Sequence, residues 1–164
     1  MDIDFMADAE GVGSKQMVML PDRDEPVELH WGIPSNNREV AQIGLLRSET
    51  ARIECPCLII ANEFGLVNGP REKYRASLIT TEKFFCIAGV FHPGHRDWPP
   101  CFAALTVAAY PDLEPYKDRH VAIVHPDDWW DWLDKERDPL DILKPFPEGS
   151  FRVIGPPVQQ GLSL

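Results

Sequence analysis

Proline and glycine residues constrain the fold of this chain more than any other sequence feature. Sixteen prolines and eleven glycines occur in 164 residues, and they separate short apolar runs. Proline removes a backbone donor and clashes inside a helix, so long helices are excluded, whereas apolar runs of about four to eight residues between turns are typical of strands. The runs are VELHWGI, CLIIA, RASLIT, KFFCIAGVF, CFAALTVAA and HVAIVH. They predict an α+β protein dominated by an antiparallel sheet.

Two short helices are predicted beside this sheet. The first covers residues 126–136, because Pro126 suits the first helical position and the acidic pair after it faces the positive end of the helix. Its apolar face consists of Trp129, Trp132 and Leu133, which we expect to pack on the sheet. A second helix is predicted for residues 38–46 from roughly helical spacing. Its apolar positions are Val40, Ile43, Leu45 and Leu46.

The length of the chain fits one domain. Residues 1–26 are interpreted as an acidic arm that can supply an edge strand at QMVML, and residues 27–164 as a single domain. No apolar run reaches the roughly 18 residues of a membrane span, and the first 30 positions lack a basic end followed by an apolar stretch. We therefore expect a cytoplasmic protein with no membrane partner.

Charge is distributed unevenly along the chain, which has a net charge of −10. Residues 1–28 carry eight acidic and two basic side chains, and residues 111–164 carry eleven and six. An acidic molecule repels a polyanion at long range, so DNA binding requires a local basic cluster. Residues 29–110, which are close to neutral, are where we expect such a surface.

Neither a cofactor nor a metal is expected. A glycine-rich phosphate loop is absent, so a nucleotide cofactor has no support. The His92-Pro-Gly-His95 turn and Cys55-Pro-Cys57 lack the paired spacing of common zinc sites. The cysteines are too few for a disulfide scaffold and are interpreted as reduced, mostly buried thiols. They are Cys55, Cys57, Cys86 and Cys101.

Six segments, read in order, resemble one protein family. They are HWGIP, LLRSET, CLIIANEFGLV, FFCIAGVF, LTVAAYPDLEPYKDRHVAIVHPDDWWDWLD and KPFPEGSFRVIGPP. In these segments the chain resembles the SOS response-associated peptidase (SRAP) family, over a stretch from about Leu29 to Pro157. The resemblance implies a mixed fold with a barrel-like core and a few short helices. It also implies single-stranded DNA binding and covalent capture of abasic sites in the DNA damage response, through an amino-terminal cysteine.

The chain departs from the family at the residues that perform covalent chemistry. Asp2 stands at the nucleophilic cysteine, and Leu45 replaces an asparagine that borders it. Leu66 stands at the catalytic glutamate. An odd spacing in a strand turns Glu63 to the opposite face from Leu66, so Glu63 could replace the glutamate only through a bulge. Lys117, within Lys117-Asp118-Arg119, stands at the catalytic histidine. We therefore expect abasic-site crosslinking and autoprocessing to be lost.

The resemblance also assigns residues that contact DNA. Arg47 and Arg119 match phosphate contacts, Trp31 matches an aromatic residue near the DNA path, and Thr106 matches a polar active-site residue. With Lys117, they form the predicted site.

Three of these residues have structural alternatives. Trp31 alternates with Val27 and Leu29, which favours a core position. Arg47 can pair with Glu49, and Lys117 can be a solvated cation beside the next aspartate, a contact of roughly 0 to 1 kcal/mol.

Three functional hypotheses follow. The first is a SRAP-like protein that binds single-stranded or abasic DNA weakly and noncovalently through Trp31, Arg47 and Arg119. The second is an acidic module that binds a protein partner on the same fold. The third retains chemistry, in which the amine of Lys117 or of the chain terminus traps an abasic aldehyde as an imine.

Overall fold

Strands form at all six apolar runs. The computed structural model describes residues 6–7, 12–35, 42–67 and 73–155. The strands in these ranges are β1 (Met6–Ala7), β2 (Lys15–Met19), β3 (Val27–Trp31), β4 (Ile33–Pro34), β5 (Gln42–Ile43), β6 (Leu45–Arg47), β7 (Pro56–Ala61), β8 (Glu63–Val67), β9 (Lys73–Leu78), β10 (Phe85–His92), β11 (Cys101–Ala108), β12 (Arg119–Val121), β13 (Ile123–Val124) and β14 (Phe151–Ile154).

Five strands close into a barrel. The order is β11–β3–β2–β7–β10, and β10 pairs again with β11 to complete the ring. The pair β11–β3 is parallel and the other four pairs are antiparallel. Because the ring is closed, each of these five strands pairs on both sides over at least part of its length. The predicted α+β fold with a barrel-like core is confirmed, and the barrel is mixed because β3 runs parallel to β11.

Two smaller sheets accompany the barrel. One has the strand order β1–β8–β9–β14, and the other consists of β4 and β5. In the first of these, β14 pairs antiparallel with β9, which places the carboxy-terminal part of the described chain beside residues 75–78.

The core is filled mainly by strands that are buried on both faces. Every residue of β7 is buried, and the first six residues of β10 are too. Gly89 of β10 permits close packing of these buried strands. A Cβ atom added at Gly89 would lie 2.8 Å from the Ala103 carbonyl oxygen and 2.9 Å from Ile59 Cδ1. A continuous apolar run therefore indicates a strand covered on both sides.

The predicted helix at 126–136 is confirmed as a short 3-10 turn (Pro126–Asp128) followed by α1 (Trp129–Asp134). Trp132 and Leu133 are buried, and the Trp132 indole N–H donates to the Cys57 carbonyl at 2.8 Å. Trp129 stacks on Phe84. The helix therefore packs on the barrel through the predicted face. A further helix, α2 (Pro139–Ile142), was not predicted.

Two predictions about local structure are wrong. In the predicted 38–46 helix, residues 42–43 and 45–46 lie in strands instead, because β5 pairs with β4 and β6 pairs parallel with β11; residues 38–41 lie outside the described residues. QMVML does form a strand, but β2 pairs with both β3 and β7 and buries Val18, so it is an interior strand and not an edge strand. In both cases, pairing with strands distant in the sequence determines the structure.

Candidate functional site

The predicted site residues gather around the second half of β11. Beyond the barrel, β11 has β6 on one side and β12 on the other. Thr106 pairs with Arg47 of β6 and with Val121 of β12. Arg119 lies two residues before Val121, and side chains two apart on a strand share a face. Three strands distant in sequence thus place Arg47, Thr106 and Arg119 together.

A pocket of about 230 Å³ opens at this point. Four of the five predicted site residues line it, namely Arg47, Thr106, Lys117 and Arg119. Gly65 of β8 lines it as well, so the second sheet contributes part of the wall. Two of these residues, Lys117 and Arg119, lie in the acidic region 111–164. The basic residues of the pocket are therefore not confined to residues 29–110, where the sequence predicted them.

Arg119 is held by a network centred on one of its nitrogens. Its Nη2 donates to both carboxylate oxygens of Glu49, at 3.1 and 2.8 Å. The same nitrogen donates to the Thr106 carbonyl at 2.9 Å and to Thr106 Oγ1 at 3.2 Å. Nε is buried and has no acceptor among the described residues. The guanidinium is therefore fixed over Thr106 by its Nη2 side alone.

Glu49 is the counter-ion of Arg119. The hydrogen bond from Arg119 holds the pKa of the Glu49 carboxyl below its usual value, with the positive charge of Arg119 contributing. Arg47 makes no ion pair with any residue in the described ranges. The alternative prediction of an Arg47–Glu49 pair is therefore wrong, because the register of β6 and β12 directs Glu49 to Arg119.

Lys117 is half-buried at the end of a turn between β11 and β12. Its backbone N–H donates to the Leu113 carbonyl at 3.1 Å, and the Ala109 N–H donates to the Asp118 carbonyl at 2.9 Å. Within the described parts of the chain the Lys117 side chain forms no salt bridge, with Asp118 or otherwise. Lys117 therefore lines the pocket without a counter-ion among the described residues.

His120 fastens this turn from inside the protein. Its Nε2 accepts from the Tyr110 N–H at 3.1 Å, and its Nδ1 donates to the Val121 carbonyl at 2.8 Å. Burial lowers the pKa of His120 to about 4, so the ring is neutral near pH 7. The Tyr110 ring packs against it at 4.3 Å. The position of Lys117 therefore depends on a buried neutral histidine.

Trp31 is the one predicted site residue that does not line this pocket. Its side chain has no exposed surface, its indole N–H donates to the Gly44 carbonyl at 2.8 Å, and it packs on Phe102. The core position predicted as its alternative is confirmed. The ring offers no face to a nucleic-acid base in this arrangement.

Among the described residues, neither a thiol nor a carboxylate lines the pocket. Leu45 lines it where the family resemblance places an asparagine, and Leu66 is fully buried in the core. Glu63 lies on the opposite face of β8, as predicted, and pairs with Arg75 at 2.9 Å. Asp2 lies outside the described residues. Burial raises the pKa of the Cys57 and Cys86 thiols, which keeps both protonated.

The described ranges contain neither a metal-ligand cluster nor a helix that could span a membrane. In those ranges, no three His, Cys, Asp or Glu side chains are grouped as metal ligands. His92 instead accepts the Gly94 N–H at 2.9 Å through its Nδ1, within its own turn. None of the helices in the same ranges is long and apolar enough to cross a membrane.

Comparisons with known proteins support the fold and leave the function open. No family model matches the sequence, and no curated protein matches it. One matching solved structure is the crystal structure of a protein from Bacteroides thetaiotaomicron, determined by a structural genomics consortium. It is 16% identical, covers 87% of this chain and 74% of its own, and has a TM-score of 0.68. At this identity the similarity shows a shared fold alone.

Sequence reasoning did not identify two parts of the site. The pairing of Glu49 with Arg119 joins residues 70 positions apart, and no local spacing indicates it. Gly65 lines the pocket through the approach of a second sheet. The LLRSET segment, which contains both Arg47 and Glu49, was the one signal that pointed towards this arrangement.

Proposed function

We propose that this protein is a SRAP-like, noncovalent binder of single-stranded DNA. One observation carries the proposal: Arg47, Thr106, Lys117 and Arg119, selected from the family resemblance, line one pocket. Arginine and lysine donors hold phosphate oxygens through charge-assisted hydrogen bonds. The cluster is local, since the chain as a whole has a net charge of −10.

The covalent activity of the family is absent from this proposal. Ring closure on an abasic aldehyde needs a thiol beside the terminal amine, and acid and base groups nearby to move protons. The sequence has Asp2 at the cysteine and Leu66 at the glutamate. Among the described residues, three cationic side chains and the Thr106 hydroxyl line the pocket, and these groups suit binding of an anion.

A second candidate function follows from the position of Lys117. Lys117 lines the pocket in which a strand would bind. The amine nitrogen can attack the C1′ aldehyde of an abasic site and lose water to form an imine. Borohydride then transfers hydride to the imine carbon and leaves a stable secondary amine.

A pair of gels distinguishes these functions. The protein is incubated with a single-stranded oligonucleotide that contains one abasic site, with and without borohydride, and run on native and denaturing gels. The proposal predicts a shift on the native gel and no adduct on the denaturing gel. An adduct that requires borohydride and is lost in Lys117→Ala supports the imine instead.

The same gels test the proposal against its rival. A native shift that persists in Arg47→Ala, Lys117→Ala and Arg119→Ala would exclude the pocket as the DNA site. No shift at low salt would contradict DNA binding and favour the acidic protein-interaction module. Arg152→Ala is the matched control, because Arg152 is exposed on β14 and does not line the pocket.

A further inference from the structure

The charge of the pocket differs from what an internal DNA phosphate requires. Arg47, Lys117 and Arg119 line it, and Glu49 neutralises one of them. Among the described residues that line the pocket, two positive charges therefore remain; Asp118 is exposed and is not one of these residues. An internal phosphodiester carries one negative charge, whereas a terminal phosphomonoester carries about −1.5 to −2 at pH 7.

The hydrogen-bond donors of the pocket also favour a terminal phosphate. The hydrogen bonds of Arg119 all come from Nη2, and its Nη1 makes none with the described residues. Arg47 and Lys117 form no ion pair in the described ranges. Arg47, Lys117 and Arg119 therefore each have hydrogen-bond donors that form no bond with the described residues. A terminal phosphate presents three free oxygens to them, whereas an internal diester presents two.

The size of the pocket limits how much of a strand can enter. Its volume of about 230 Å³ is below the roughly 300 to 1,000 Å³ of typical small-molecule sites. One phosphate group and its sugar fit that space better than a run of nucleotides. Leu45 and Val121 provide apolar wall for the sugar.

From this charge match, donor set and volume, we propose that the pocket receives the terminal phosphate of a single-stranded DNA end in preference to an internal phosphate. The inference rests on the proposed function, because it names the part of the strand that the same site selects. A reaction that cleaves a strand and leaves a phosphorylated end would supply this ligand.

Fluorescence anisotropy with matched oligonucleotides tests the inference. One labelled sequence is prepared with a 5′-phosphate, with a 3′-phosphate and with hydroxyl groups at both ends, the label being internal. We expect at least one phosphorylated form to bind about fivefold tighter than the hydroxyl form, from one additional charge contact. The preference should disappear in Arg47→Ala and in Lys117→Ala, and it should persist in Arg152→Ala.

Each other outcome has a distinct meaning. Equal binding of all three oligonucleotides, reduced in the pocket variants, would overturn the end preference and leave the proposed function standing. A preference that survives in both pocket variants would place the end elsewhere and overturn the inference. Absence of any binding would overturn both. If a deoxynucleoside monophosphate or inorganic phosphate competes as well as the phosphorylated strand, the site takes free phosphate groups, and the strand-end inference fails.

Discussion

Acid should destabilise this protein through His120, whose ring holds the turn that carries Lys117. Burial lowers its pKa to about 4 in the folded state, against about 6.5 in an unfolded chain. Because the folded pKa is the lower one, the stabilisation is complete above pH 6.5 and is lost as the pH falls towards 4. A difference of about 2.5 pKa units corresponds to about 3 kcal/mol, of which about 2 kcal/mol is lost by pH 5.

Urea unfolding at a series of pH values between 7 and 4 measures this loss. Other groups titrate in the same range, so the relevant quantity is the difference between wild type and His120→Gln. The variant lacks the titrating ring, and its amide can still accept the Tyr110 N–H that His120 Nε2 accepts at 3.1 Å. We expect wild type to lose about 2 kcal/mol more than the variant between pH 7 and pH 5. Equal losses in the two proteins would refute the assignment of a buried, neutral His120.

Three further predictions follow from particular contacts. Gly89→Ala should destabilise the fold by about 1 to 3 kcal/mol in urea unfolding, because the added Cβ lies 2.8 Å from the Ala103 carbonyl oxygen; unchanged stability would contradict the close packing. Glu49→Gln should tighten single-stranded DNA binding about fivefold, because it releases Arg119. Glu54→Gln removes an exposed carboxylate elsewhere and should have a smaller effect in the same titration. Equal effects of the two substitutions would contradict a local role of Glu49 at the pocket. Lys135→Gly should raise the free energy of unfolding by about 0.5 kcal/mol, since Lys135 ends α1 with φ of 56°; a lower melting temperature would contradict this.

The fold could be predicted where local signals agree. Six apolar runs bounded by turn residues became strands, and Pro126 with its acidic neighbours began a helix. The 38–46 prediction failed over residues 42–46, because apolar residues at helical spacing also suit short strands, and β6 is fixed by pairing with β11 about 60 residues away. The strand β14 was also missed, since FRVI lies in a proline-rich segment and forms by pairing with β9.

The site was predicted only in part, for a related reason. The family resemblance selected Arg47, Thr106, Lys117 and Arg119, and the strand register brought them together. It could not separate residues that line the pocket from core residues, and alternation along β3 was the better guide to Trp31. The counter-ion of Arg119 depends on the register of three strands, which a linear sequence does not reveal.

The proposed binding of a single DNA strand through the cations of the pocket should depend on salt. The most direct test measures the affinity for a labelled single-stranded oligonucleotide at about 0.05 M and about 0.2 M salt, for wild type and for the Arg47→Ala, Lys117→Ala double variant. Glu49 does not neutralise Arg47 or Lys117, and one phosphate contact for each of these two cations predicts a slope of about −1.4 and a loss of about sevenfold in affinity over that range. The double variant should bind weakly at both concentrations, and an Arg152→Ala, Lys144→Ala control should match wild type. Affinity that is independent of salt, or equal losses in the two double variants, would exclude DNA binding through the cations of this pocket.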